Sequence, residues 1–173
     1  MKVGLDSGVM VASVKRKQEK HHLDSLRLSE IIRSGNHTGI CSALALTEVP
    51  GALASSTRMP LEKIYDVELS LIQGFRVSFS GFEINADFAV DLMLEFRELK
   101  RTFGIGSADF HHLATASSEG CVFFVTTDER HLLRQKCKDE FRKYVRICSP
   151  AEAVAGIQAE GSAQERSRPP NGS

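Results

Sequence analysis

The chain has no tryptophan, only two tyrosines and no net charge: 22 Lys and Arg balance 22 Asp and Glu over 173 residues. A zero balance excludes the global positive field that draws a protein to nucleic acid or to a membrane surface, and leaves only local patches for such contacts. The aromatics are mainly Phe at core spacing, so no stacking platform for bases is indicated. Cysteine is sparse and scattered. Cys41, Cys121, Cys137 and Cys148 form no CxxC pair, which removes the usual zinc and dithiol motifs and leaves reduced, mostly buried thiols of a cytoplasmic protein. No run approaches the roughly 20 apolar residues of a membrane-spanning helix, so no membrane partner is expected. Asp6 interrupts the apolar stretch that a signal peptide would need. No GxGxxG follows the first apolar segment, which argues against a dinucleotide site. No Asp-x-Asp stands there either, because Ser7-Gly8 follow Asp6; an aspartyl-phosphate type of phosphatase is thereby disfavoured. Internal repeats are missing.

What remains fits one soluble globular domain with room for a sizeable core. Residues 2–6 read as a short buried strand, and 22–34 as a helix ended by Ser34-Gly35-Asn36. Gly39-Ile40-Cys41 reads as a second strand. Pro50 favours Thr47 as the N-cap of the next helix, since proline is tolerated in a first turn. A helix over about 61–73, a strand over 76–79 and a helix over 86–100 follow. The last of these has Phe88, Ala89, Leu92, Met93, Phe96 and Leu99 on one side and Asp87, Asp91, Glu95 and Glu98 on the other. Ser107 caps a helix to about 118. Cys121–Val125 is a continuous apolar run of the central parallel type, followed by a short helix near 129–138 and a strand over 144–147. The alternation predicts an α/β fold, an α/β/α sandwich with a mostly parallel central sheet of about four to five strands. The domain is expected over 1–150, with 151–173 as an extension that is mostly disordered tail.

Four acids sit where an acid is costly. Asp6, Glu48, Asp109 and Asp128 each end or open an apolar run. An acid in such a place must be paired, cap a helix or bind a cation. Asp128 after a strand and Asp109 and Glu48 near helix starts all have capping explanations. Asp6 has none in the sequence, because no helix signature begins after it. Ligands of open parallel sheets bind at the carboxyl ends of the strands, and all four acids can meet there. Carboxylates without His or Cys at ligand spacing suit Mg²⁺ or Mn²⁺ rather than zinc, and clustered carboxylates with two such ions suit phosphodiester hydrolysis.

Four segments in order resemble the motifs of the PIN-domain ribonucleases. Val3-Gly4-Leu5-Asp6-Ser7-Gly8-Val9 is similar to the opening motif, with Ser7 where Thr is commoner. Ser42 to Val49 is similar to the second, which ends in Glu48. Gly106 to Ala116 resembles the helix start that carries Asp109, with His111-His112 where small residues are usual. Val125-Thr126-Thr127-Asp128 resembles the last motif. The resemblance covers residues 1 to about 150. It implies a metal-dependent endoribonuclease of the kind often found as the toxin of a VapBC-type toxin–antitoxin pair, with RNA as substrate, an antitoxin as partner and a homodimer as the assembly. On this reading Asp6, Glu48, Asp109 and Asp128 bind Mg²⁺ or Mn²⁺, while Thr126 and Ser7 hydrogen-bond the acids. Lys15, Arg16 and Lys17, with Lys20, form the best candidate for a backbone-phosphate contact; Arg97, Lys100 and Arg101 are a second. His111 and His112 read as helix surface or boundary residues, with a phosphate contact or proton shuttling as the alternative, and His21-His22 as solvated. The alternative is a non-catalytic PIN-like protein-interaction module whose acids only cap helices.

Overall fold

The computed structural model describes residues 1–15 and 19–166, apart from the side chains of residues 82, 84 and 162–166. Five strands, β1 (Lys2–Leu5), β2 (Thr38–Ser42), β3 (Val77–Ser80), β4 (Phe123–Val125) and β5 (Arg146–Cys148), form one sheet in the order β3-β2-β1-β4-β5. Every pairing is parallel. Among the described residues nine helices connect them: α1 (Ser7–Val14), α2 (His22–Ser34), α3 (Ala45–Ser56), α4 (Leu61–Gly74), α5 (Phe82–Glu95), α6 (Arg97–Phe103), α7 (Ser107–Ser118), α8 (Gln135–Phe141) and α9 (Pro150–Arg166). The α/β/α sandwich expected from the alternation is present.

The period-two alternation of side chains divides the core between the sheet's faces. Val3, Leu5, Cys41, Phe123 and Val125 pack with α1, α2, α3, α4 and α9. Ile40, Phe124 and Ile147 pack on the other face with α5, α6, α7 and α8. Gly4 is required where β1 meets α7, because a Cβ there would stand 2.7 Å from the Ala116 Cβ.

Several local expectations change. Helix α1 begins directly after β1. Val9 to Ser13 are all buried, so the segment lacks the polar face that makes a helix visible by period. Helix α3 starts at Ala45 rather than at Thr47, which places Pro50 inside it. Burial of Ala45, Val49 and Leu53, four residues apart, carries the helix through the proline. The carbonyl left without a Pro50 N–H belongs to exposed Leu46. The stretch foreseen as one helix over 86–100 breaks at Phe96 (φ −100°, ψ 27°), whose buried ring packs 4.4 Å from that of Phe141.

The domain boundary expected at 150 falls at the start of a helix. Residues 150–166 are helical, and Ala153, Val154 and Ile157 are buried in the core that contains Phe123. The apolar spacing 153-154-157 places one face of α9 on the sheet. Residues 167–173 lie outside the described part, as do Arg16 and Lys17.

Candidate active site

In a sheet of order β3-β2-β1-β4-β5 the chain winds to one side after β1 and resumes on the other at β4, which opens a crevice beyond the carboxyl ends of these two strands. Leu5 and Val125 are register partners at that end, so Asp6 and Thr126 follow them side by side.

Thr126 links two of the acids. Fully buried, its hydroxyl donates to Asp6 Oδ2 at 2.6 Å and accepts the Asp128 N–H at 3.1 Å. The Asp6 N–H extends the ladder to the Val125 carbonyl at 2.9 Å. Asp6 is also the N-cap of α1, accepting weakly from the Gly8 N–H at 3.5 Å and from the Ser7 hydroxyl at 3.3 Å. A capping role is therefore open to Asp6 after all, which the hidden α1 had concealed.

Glu48 stands in the first turn of α3. Its Oε2 accepts from His112 Nε2 at 2.8 Å, and the other ring nitrogen, Nδ1, is 2.8 Å from the Ser42 hydroxyl. Ser42 and His112 are both buried. Because a carboxylate only accepts, the proton on His112 is fixed at Nε2. The hydrogen bond from His112 holds the Glu48 carboxyl below the usual carboxylate range against the opposing effect of burial, and the Ser7 hydroxyl helps. On His112 itself, burial pulls downward, but the Glu48 hydrogen bond and the charges of Asp6, Glu48 and Asp109 together raise it.

Asp109, in the first turn of α7, reaches back to the N–H of Gly106 at 2.7 Å. Gly106, rather than Ser107, is the N-cap. Burial raises the Asp109 carboxyl, and the nearby charges of Asp6 and Asp128 raise it further, against the Gly106 hydrogen bond and His112. Asp128 folds over its own turn: Oδ1 accepts from the N–H groups of Arg130 (3.1 Å) and His131 (3.2 Å), and Oδ2 lies 2.7 Å from His131 Nδ1.

Asp109 feels the charges of Asp6 and Asp128, and Glu48 is tied to the same helix through His112. Among the described residues, however, no three His, Cys, Asp or Glu side chains are gathered as a ready-made ion cage. Glu48 is held by His112, Asp109 by Gly106 and Asp128 by its turn. No Lys or Arg among the described residues pairs with any of the four acids. A hard divalent cation fits the donor set chemically: oxygen ligands, and like-charge crowding at Asp109 that a cation would relieve.

Lys15 is the C-cap of α1. Lys20 pairs with Glu129 and, with Thr127, Asp128 and Arg130, lines a cleft of about 320 Å³. His21 is buried and His22 half-buried: His21 Nε2 is 3.2 Å from Glu129, and His22 Nδ1 is 2.9 Å from the Ala12 carbonyl. The residues that sequence reasoning missed are Ser42 and His112. The available signal was that His112 lies three residues after Asp109, hence on the same helix face. His112→Ala would leave Glu48 and buried Ser42 without their partner. Loss of an outer hydrogen-bond partner of this kind is expected to lower divalent-ion affinity or activity about 10–100-fold, read from Mn²⁺ titration of the melting temperature. A change below twofold would remove His112 from the site.

No curated protein sequence matches the chain. Among solved structures, VapBC2 from Rickettsia felis bound to a DNA fragment from their promoter is similar at TM-score 0.55 and 18% identity, covering 86% of this chain and 98% of that one. FitAB bound to the IR36 DNA fragment is similar at TM-score 0.50 and 20% identity, covering 87% and 96%. At such identities the likeness shows a shared fold. The family description that matches is the PIN domain, over residues 3–138. That span takes in every segment that carries the acids and Thr126, from the end of β1 to the turn after β4, and by it the chain belongs to the PIN domain family, whose members are generally nucleases.

Proposed function

We propose that the protein is a metal-dependent endoribonuclease, the toxin of a toxin–antitoxin pair. What supports this reading is the arrangement around helix α7: Asp6 is joined through Thr126 to the Asp128 backbone, Glu48 is hydrogen-bonded to His112, and Asp109 lies three residues before His112 within the fields of Asp6 and Asp128. The four carboxylates would hold Mg²⁺ or Mn²⁺. When bound, such an ion supplies positive charge to the phosphoryl oxygens and lowers the pKa of a water ligand. Thr126 and Ser7 orient Asp6 through their hydroxyls, and His112 orients Glu48, so the chain holds the charges in place before substrate arrives. The acids also repel an RNA phosphate until the cation is present, which makes metal a condition of substrate approach.

The fold shared with VapBC2 and FitAB supports an antitoxin partner. The four cysteines are free and buried, and no helix among the described residues is long and apolar enough to cross a membrane; both accord with a cytoplasmic setting. Incubation of single-stranded RNA with the purified chain should give cleavage with Mn²⁺ or Mg²⁺, none with EDTA, and none for Asp6→Asn. Equal cleavage by Asp6→Asn would sink the assignment. A second reading, a non-catalytic interaction module, is favoured by one observation: Asp6, Asp109 and Asp128 each accept from backbone N–H groups at the start of a helix or turn. It predicts no Mn²⁺-dependent rise in melting temperature.

A further inference from the structure

The net charge of zero conceals a separation. Residues 130–146 hold seven Lys and Arg against two acids, Asp139 and Glu140, while residues 83–98 hold five acids against Arg97. The basic segment comprises the turn after Asp128, helix α8 and the start of β5. Between α8, the edge strand β5 and the first turn of α9 runs a groove of about 410 Å³.

The groove's acids are already engaged. Glu152 takes both contacts of Lys138 Nζ, at 2.7 and 2.8 Å, and the Ser149 N–H at 2.8 Å. Asp139 accepts from Gln135 at 2.9 Å. The remaining groove cations, Arg142 and Arg146, are exposed and make no ion pair among the described residues. The Arg146 guanidinium carbon stands 4.9 Å from the centroid of the Phe123 ring, a cation–π contact that anchors this end of the side chain while the residue stays exposed. Arginine presents several donors in one plane and suits phosphate oxygens.

The groove also has a direction. Its end at Cys148 is in register with Val125, one strand spacing of about 4.8 Å from the segment that carries Thr126 and Asp128. Arg134 and Arg130 lie along the chain between the two, and Arg130 lines the cleft beside Asp128. We propose that the α8–β5 groove binds the phosphate backbone of single-stranded RNA and leads it to the crevice. The identity of the RNA as substrate rests on the function proposed above. A cleft between one helix and a sheet edge admits a single strand, whereas a duplex would meet only its rim.

The test is binding of a labelled single-stranded oligouridylate by the full chain in EDTA, measured over a range of NaCl. Single-strand binding loses about 0.7 in the slope of log K against log salt for each phosphate contact removed. Arg142→Ala/Arg146→Ala should therefore flatten the slope by about 1.4 and weaken binding about tenfold at low salt. Arg142→Ala alone, which leaves the Phe123 stack intact, should flatten it by about 0.7. The control Arg33→Ala/Arg58→Ala removes the same charge from exposed positions on α2 and after α3, and should keep the wild-type slope. An unchanged slope in Arg142→Ala, or an equal loss in the control, overturns the groove. The two proposals fail separately. Slopes that respond as expected in a chain that never cleaves RNA would keep the groove and discard the ribonuclease; metal-dependent cleavage with unresponsive slopes would do the reverse.

Discussion

Asp109→Asn is expected to abolish cleavage and, in the same protein, to raise the melting temperature of the metal-free form. The carboxyl of Asp109 is raised above its ordinary value by burial first, then by Asp6 and Asp128. The sign follows from proton linkage. Between the ordinary value of 3.8 and the raised one, the folded state holds more protons than the unfolded state. Stability is therefore lost as pH rises through that window. Asparagine removes the charge and keeps an oxygen to accept the Gly106 N–H. The variant should thus be the more stable one at pH 7 without metal, and the difference should vanish below pH 3.8. Adding Mn²⁺ should reverse the order, because only the wild type regains a partner for its carboxylate. Activity should fall at least about 100-fold, since a direct ligand matters no less than an outer partner. If Asp109 only caps α7, the outcome is opposite: the variant melts lower, through loss of a helix-dipole partner, and cleaves normally. Melting curves across pH with and without Mn²⁺, beside an RNA cleavage assay, distinguish the two.

Truncation after Ser149 is expected to bring the domain to the edge of unfolding, whereas truncation after Arg166 should change its stability little. Helix α9 buries Ala153, Val154 and Ile157 against the core that holds Phe123. Gly156 approaches so closely that a Cβ there would stand 2.8 Å from the Phe123 ring. Burying a Val or Ile side chain contributes about 1.5–3 kcal/mol, so two such losses cost about 3–6 kcal/mol before the exposed Phe123 face is counted. A domain of ordinary stability has about 5–15 kcal/mol in total. Urea unfolding of both truncations reads the effect directly. A midpoint after removal of 150–173 that matches the full chain would place the end of the domain at 150.

The elements with contrasting faces were legible in the chain. Helices α2 and α4 lie where hydrophobic period placed them, because each buries one face and exposes the other. Helix α1 was not legible: buried on all sides, it shows no period, and with it vanished the evidence that Asp6 caps a helix. Helix α9 was missed because its apolar face is only three residues wide in a stretch otherwise rich in Gly, Ala, Glu and Ser. Pro50 misled for a physical reason too. A single missing hydrogen bond costs less than exposing Ala45, Val49 and Leu53, so tertiary burial overrode the local rule.

The four acids were placed by sequence alone: each stands at the end of a strand or the start of a helix, and in a parallel α/β sheet those ends share one edge. The partners of the acids were decided only in the folded molecule. Thr126 reaches Asp6 across 120 residues, and His112 joins Ser42 and Glu48 across 70 and 64. Such pairs depend on the strand order that sets β1 between β2 and β4. Hydrophobic period reports which face of an element is buried and carries no record of its neighbour. The charge separation around α8 follows the same rule: its Lys and Arg are plain in the chain, but the groove they line exists only once β5 takes the edge.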